Sequence, residues 1–200
     1  EEIVLAPGAE PAADPNLVLR VAVAAAEFGL PIAPGTLRNL KKCPIGDRNW
    51  TDESRELFIR LLASGPALLN VWEDIDFIDV PGKLIPEWLG VRNRPSASAA
   101  HRYTIDRHMV EVVTRLGRET PSGGRYDDRH YEALLLAGIL HDIGKRPGVA
   151  NHAAEGARHA TVVVERMGFD RDIVRWVTLL VREHLTLSEF ATGRNPNAVS

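Results

Sequence analysis

Apolar residues return at intervals of three and four along nearly the whole of this 200-residue chain, and no run alternates apolar with polar residues over the length of a strand. A sequence built this way packs as rods, and it predicts an all-α fold. Residues 16–30 carry Leu17, Val18, Val21, Ala24, Ala25 and Phe28 at helical spacing, with Gly29 and Pro31 to stop the helix. A short helix follows over residues 34–40. Thr51 then stands as an N-cap, with Ser54 where a Glu would complete a capping box, and Leu57, Ile59, Leu61 and Leu62 form the buried side. Gly65-Pro66 ends that helix, residues 67–77 form the next, and Pro81-Gly82 is expected to break the chain before Leu84-Ile85-Pro86-Glu87-Trp88. From Asn93 to Ala100 the composition turns to Pro, Ser and Ala. We place a boundary there, between a helical linker subdomain (residues 1–95) and a second domain (residues 96–200).

Beyond the connector, Thr104 or Asp106 can cap a helix to Leu116 that turns Ile105, Met109, Val112, Val113 and Leu116 inward. Tyr131 to Ile143, opened by Asp127 or Asp128, is apolar almost all round between Ala133 and Leu140, the mark of a helix buried on most sides. Asn151 caps a helix ending at Gly168, and Asp170 caps a last one reaching about Leu185. The β-branched run of residues 161–164 falls inside a helix with good ends.

A net charge of -3 and a pI near 6.2 give no general attraction to polyanions, so neither nucleic acid nor an anionic membrane is an expected partner. Arg20, Glu27 and Glu165 interrupt the longest apolar stretches before they reach the roughly 18 residues of a membrane span. The one cysteine, Cys43, cannot form an internal disulfide and suits a reducing compartment. With no basic segment ahead of an apolar run at the start, the expected location is the cytoplasm. The missing initiator Met and the end at Ser200 read as a portion of a longer protein.

All seven histidines, at 101, 108, 130, 141, 152, 159 and 184, lie in the second half of the chain. His141-Asp142-Ile143-Gly144-Lys145 follows the most apolar run, where an ionised carboxylate is costly to bury unless it is paired or ligated. Adjacent helical residues point about 100° apart, so His141 and Asp142 can share an ion only where the helix opens, as Gly144 permits. His108 in mid-helix, His152 in a first turn and His184 near a helix end can join them, giving a nitrogen and oxygen site inside a bundle. Taken singly, each reads better as an ordinary core or helix-end histidine than as a ligand. His130 and His159 read as solvated positions. Lys145 suits a phosphate oxygen or the negative end of a helix dipole, and Arg92, Arg94, Arg102 and Arg107 form either anion contacts or a solvated face. The chain has no His-Glu-x-x-His, no cysteine pair and no phosphate-cradling Gly-Lys loop, and Cys43 reads as inert.

Leu140 through Lys145, with His108 on an earlier helix, resembles the HD superfamily of metal-dependent phosphohydrolases. A closer resemblance is to the bifunctional uridylyltransferase/uridylyl-removing enzymes that modify the nitrogen-regulatory PII protein. It is carried by residues 84–88, 91–95 and 101–108, by Asn151-His152 and by Glu155-Gly156-Ala157, and residues 16–80 are similar to the segment ahead of their HD domain. The resemblance implies an HD helical bundle preceded by a linker subdomain, without the transferase domain or the glutamine-sensing domains of the full-length chain. It implies hydrolysis of a nucleotidyl-tyrosine phosphodiester on PII, uridylyl- or adenylyl-removing. The implied metal residues are His108, His141, Asp142, His152 and His184. Asp142 would orient water, while Lys145, with His101 and Arg102, would meet the phosphoryl charge. The implied cofactor is a divalent metal, Mn²⁺ or Mg²⁺ in first place, with Fe²⁺ and Zn²⁺ as alternatives. Departures from the family pattern are Glu183 where a His precedes His184, Asn195 where an Asp ends the Ala191-Thr192-Gly193-Arg194 stretch, and Ser96-Ala97-Ser98 in place of basic residues. Two other readings stand beside this one: another nucleotide phosphohydrolase of the superfamily, and a regulatory module with a decayed site.

Overall fold

A computed structural model describes residues 1–45, 50–95, 103–117 and 128–186. Among these residues lie nine α-helices: α1 (Leu17–Phe28), α2 (Pro34–Leu40), α3 (Asp52–Leu62), α4 (Ala67–Phe77), α5 (Val80–Leu84), α6 (Ile105–Leu116), α7 (Asp128–Leu140), α8 (His152–Arg166) and α9 (Arg171–Glu183). The only β-type pairings described are two isolated bridges, Ile3 with Ile32 and Pro95 with Thr104. The fold is all-α, as the periodicity requires.

Local chemistry sets most of the helix ends. Thr51 and Ser54 cap α3 reciprocally, each hydroxyl accepting the other residue's backbone N–H at 3.2 Å. The Ser54 hydroxyl also donates to Asn16 Oδ1 at 2.9 Å, and Asn16 Nδ2 donates to Glu53 at 2.7 Å, so the start of α3 is tied to the start of α1. Asn151 Oδ1 accepts from Ala154 N–H at the head of α8, and Asp170 Oδ1 accepts from Asp172 and Ile173 at the head of α9. Gly168 follows α8 with φ 79°, a left-handed conformation that suits glycine. Thr104 precedes α6 without a side-chain cap bond, and Asp106 instead accepts the backbone N–H of Asn93 at 2.8 Å.

Several expectations need correction. Pro81-Gly82 does not break the chain: it lies in the first turns of α5, where a proline's missing N–H is not needed. Helix α7 ends at Leu140, short of Ile143, and α9 ends at Glu183 with His184 as its C-cap. On α1, Phe28 is 72% exposed, while Leu19, Ala22, Val23 and Ala26 join the core. On α3, Phe58 is fully buried and Ile59 only partly. A helix buried on several sides leaves too little contrast between faces for spacing alone to choose the inner one.

One hydrophobic cluster runs from Val18 to Val181. Helix α1 packs on α3 and α4, α4 meets α6, α3 meets α7, and α7, α8 and α9 pack together behind them. Leu135, Leu136, Ile139 and Leu140 place α7 at the centre with no exposure. Each such side chain contributes roughly 1.5–3 kcal/mol through burial. No helix among the described residues is long and apolar enough to cross a membrane.

Ser54→Ala should lower stability by about 1–3 kcal/mol, because the bond from the Ser54 hydroxyl to Asn16 Oδ1 is lost and the Thr51 N–H loses its acceptor in the capping box. A denaturant midpoint unchanged from the parent protein would contradict this.

Candidate metal centre

Helix α7 delivers its last buried residue, Leu140, into a tight turn. Ile143 N–H bonds to Leu140 O at 3.0 Å and Lys145 N–H to Asp142 O at 2.9 Å. Ile143 is fully buried and pins the turn, which leaves Asp142 only 2% exposed. Expected from sequence to let the chain leave its helix, Gly144 has a different reason to be glycine. Its φ is not positive, but a Cβ there would lie 2.3 Å from Gly156 N and 2.4 Å from His152 O. The turn therefore lies backbone against backbone on the first turns of α8, which brings His152 to Asp142.

Four imidazoles from four stretches of chain face this one carboxylate. His108 of α6 and His141 place Nε2 at 3.9 and 3.5 Å from Asp142 Oδ2, and His152 of α8 and His184 after α9 place theirs at 3.9 and 3.5 Å from Oδ1. Lys145 Nζ donates to Oδ2 at 2.8 Å. Two sets of three, His108, His141 and Asp142, and Asp142, His152 and His184, each offer ligand atoms within 4.8 Å of one another and share the carboxylate. Gaps of 3.5–3.9 Å are long for hydrogen bonds but suit ligands of a common ion. Two donors each about 2.1 Å from a tetrahedral centre sit about 3.4 Å apart.

The ring orientations favour the same use. His141 Nδ1 contacts Gly138 O at 2.8 Å and His184 Nδ1 contacts Val181 O at 2.7 Å. A carbonyl can only accept, so Nδ1 carries the hydrogen and each Nε2 lone pair faces inward, the usual arrangement behind a metal-ligating histidine. Burial pushes His141 down to about 4, so it is a neutral ligand at ordinary pH. Burial would raise Asp142, yet His184, His141 and Lys145 hold it well below the usual carboxylate range. The His184 contact at 3.5 Å is weak, and Lys145 at 2.8 Å is the firm ion pair. Asp142 Oδ1 and His184 Nε2 are buried without a hydrogen-bond partner, as open ligand positions would be. Imidazoles with one carboxylate fit a borderline or hard divalent ion.

The cluster forms one end of a cavity of about 460 Å³, within the range of small-ligand pockets. Helical spacing explains its walls: His108, Val112 and Leu116 on α6, Leu134 and Gly138 on α7 with His141 just beyond its end, and Leu180 on α9 with His184 as its C-cap. Val112 and Leu116 were expected to face inward. They do, toward this cavity, which is why they are only partly buried. The apolar wall was not foreseen; its signal was an apolar residue one turn from three of the histidines, Leu180 before His184, Ala137 before His141 and Val112 after His108. Lys145 lines the same cavity.

Other candidates go elsewhere. Glu183 is exposed and accepts from the Thr186 hydroxyl at 2.7 Å, so it does not join the cluster. His159, expected to be solvated, has a side chain only 13% exposed and lies 3.0 Å from Glu155. His130 is exposed and stacks on Trp176 at 4.2 Å. Arg92 pairs with Asp76 and Asp79, and Arg107 with Glu73 and Glu111, which makes both structural. Cys43 is buried, and burial raises its thiol above the usual value, in keeping with an inert residue. His101, Arg102 and Asn195 lie outside the described residues.

Gly144→Ala should cost about 1–3 kcal/mol through overpacking and weaken Mn²⁺ binding by about tenfold or more as α8 is pushed back. Calorimetric titration at a temperature where the variant remains folded measures this, and unchanged affinity would contradict it.

No protein-family model matches the chain. It is 39% identical over 197 residues to a bifunctional uridylyltransferase/uridylyl-removing enzyme of Mycobacterium tuberculosis, covering 98% of this chain and 24% of that protein. It is 40% identical over 197 residues to one of the same name from Streptomyces coelicolor, covering 97% and 23%. A third, from Corynebacterium glutamicum, is 32% identical over 188 residues, covering 92% and 26%. The chain spans about a quarter of the length of these curated relatives. Along nearly its whole length, then, the chain is homologous to one segment of the bifunctional uridylyltransferase/uridylyl-removing enzymes.

Proposed function

We propose that this chain carries the uridylyl-removing activity of such an enzyme: metal-dependent hydrolysis of a nucleotidyl-tyrosine phosphodiester on the nitrogen-regulatory PII protein. Residues 96–200 then form the HD domain and residues 1–95 its helical linker, in a cytoplasmic protein. The observation that carries the reading is the convergence of four imidazoles on the buried Asp142 at one end of a half-apolar cavity.

His108, His141, Asp142, His152 and His184 would hold one or two divalent ions, Mn²⁺ or Mg²⁺ in first place. When bound, such an ion supplies Lewis acidity at the phosphoryl group and a water acidified toward neutral pH. Asp142, with an oxygen toward each histidine pair, fixes the ligands' spacing and orients the attacking water. Lys145 lines the cavity beside it, so its ammonium can meet the charge that builds on the phosphoryl oxygens. The apolar stripe of Val112, Leu116, Leu134 and Leu180 provides a dry wall for a flat ring, the tyrosyl group or the base. Water oxygen bonds to phosphorus, the tyrosyl O–P bond breaks, and the phenolate leaves and takes up a proton. A phenol with a reference pKa near 10 leaves without a covalent enzyme intermediate.

Purified protein with Mn²⁺ should release UMP or AMP from nucleotidylated PII, and His141→Ala/Asp142→Ala should reduce release by at least about a thousandfold. Equal release by the double variant would refute the assignment. Hydrolysis of free nucleotides in preference to modified PII would identify the chain as another phosphohydrolase of the superfamily. Purification with far less than one metal per chain, and no heat on adding Mn²⁺, would instead favour a non-catalytic module.

A further inference from the structure

The residue after Lys145 is tied to a part of the molecule remote in sequence. Arg146 reaches the 3-10 turn Pro86–Gly90, where its Nη2 donates to Glu87 O at 3.0 Å. The guanidinium lies so close to Gly90 that a Cβ there would be 2.5 Å from Nε, 2.6 Å from Cζ and 2.7 Å from Nη2. That turn is itself firmly held. Trp88 is 1% exposed and packs on Trp72 of α4 with ring centroids 5.4 Å apart. The Glu87 carboxylate receives Arg166, the last residue of α8, through both oxygens at 2.9 and 2.7 Å.

A guanidinium on the residue that follows Lys145 has two physical consequences. Left loose, a second cation next to Lys145 could pair with the carboxylate and compete with a divalent ion. Clamped, it holds the turn's exit in one place and leaves Lys145 as the neutralising partner. Arg146 Nε is buried with no hydrogen-bond partner. Burial in that state is unfavourable, so the clamp at Gly90 holds the side chain against a cost.

We propose that Arg146 is a positioning residue for the metal centre: seated on the Glu87–Gly90 turn, it makes the ion affinity of the His141-Asp142 turn depend on the N-terminal helices. The proposal rests on the metal reading above. In this arrangement the linker helices do more than precede the site, since displacement of the Pro86–Gly90 turn would be felt at Asp142.

The test uses Gly90→Ala, whose methyl group must displace the guanidinium, with Arg146→Lys, the two combined, and Ser54→Ala, in the capping box of α3, as a stability control that touches neither the turn nor the histidine cluster. Mn²⁺ affinity is measured by calorimetry, and the His141 and His152 ring-nitrogen shifts by NMR in metal-free protein. Gly90→Ala should weaken Mn²⁺ binding about tenfold, the scale of outer-shell changes at metal sites, and should move both ring signals. Arg146→Lys should show a smaller loss. Adding Gly90→Ala to it should change little more, because no guanidinium remains to be displaced. Ser54→Ala should lower the melting temperature with affinity within about twofold. If Gly90→Ala lowers only the melting temperature and leaves affinity and ring signals as in the parent, Arg146 is merely structural and the proposal falls. If the parent binds no Mn²⁺, the metal reading fails separately, and the ring signals still decide whether Arg146 positions the histidines.

Discussion

An ionised carboxylate at 2% exposure, placed directly after the fully buried end of α7, is tolerable only when positive or proton-donating groups surround it. Asp142 is in that position, and the second half of the molecule is organised around it. Only one surrounding group is a firm cation, Lys145. His141 is held neutral by burial, so it contributes a lone pair and not a charge. A neutral imidazole does little for a buried anion on its own, but it can complete the coordination of a cation that the anion attracts; His184, which burial would lower, is pulled up by Asp142 toward the charged form. The arrangement is poor as a salt bridge and good as a ligand set.

Convergence at this scale requires backbones to approach closely, and glycines permit it. Gly144 and Gly156 let the metal turn lie on α8, and a Cβ at Gly138 would fall 2.7 Å from Leu116 Cδ1, so α7 and α6 close together at the cavity wall. Glycine within a helix costs roughly 0.5–1 kcal/mol relative to alanine. Gly138 and Gly156 both stand inside helices, and the cost is offset by packing distances that larger residues would forbid. The spacing of His108, His141 and His152 about Asp142 is therefore set by what is missing at three positions as much as by the ligands.

Much of this was legible because it is local. Caps at Thr51, Asn151 and Asp170 act within three residues of themselves, and the sequence spacing that marks a helix is the spacing that builds one. The members of the histidine cluster could be named for a related reason: a carboxylate expected to be buried needs partners, and histidines placed on the inner sides of other segments are the groups able to reach it. What could not be read was long-range. Gly144 looked like a helix breaker because its partner, Gly156, touches it only after folding. Arg146 gave no sign of reaching Gly90, and His159 looked solvated because its cover comes from other segments. Val112 and Leu116 were assigned to the correct face, but periodicity cannot say whether a face meets another helix or an empty pocket.

That pocket gives the proposed chemistry its direction. One end gathers charge and lone pairs, while the adjoining wall is aliphatic and includes Leu180, itself 40% exposed. An apolar wall near charged groups excludes water and strengthens their action on whatever sits between them. A ligand that is only an anion would leave the wall unused, and one that is only apolar would leave Asp142 and Lys145 unmet. A phosphodiester joined to a flat ring satisfies both. A ring seated on the stripe would set the phosphoryl group toward Lys145, so that binding the part that does not react orients the part that does.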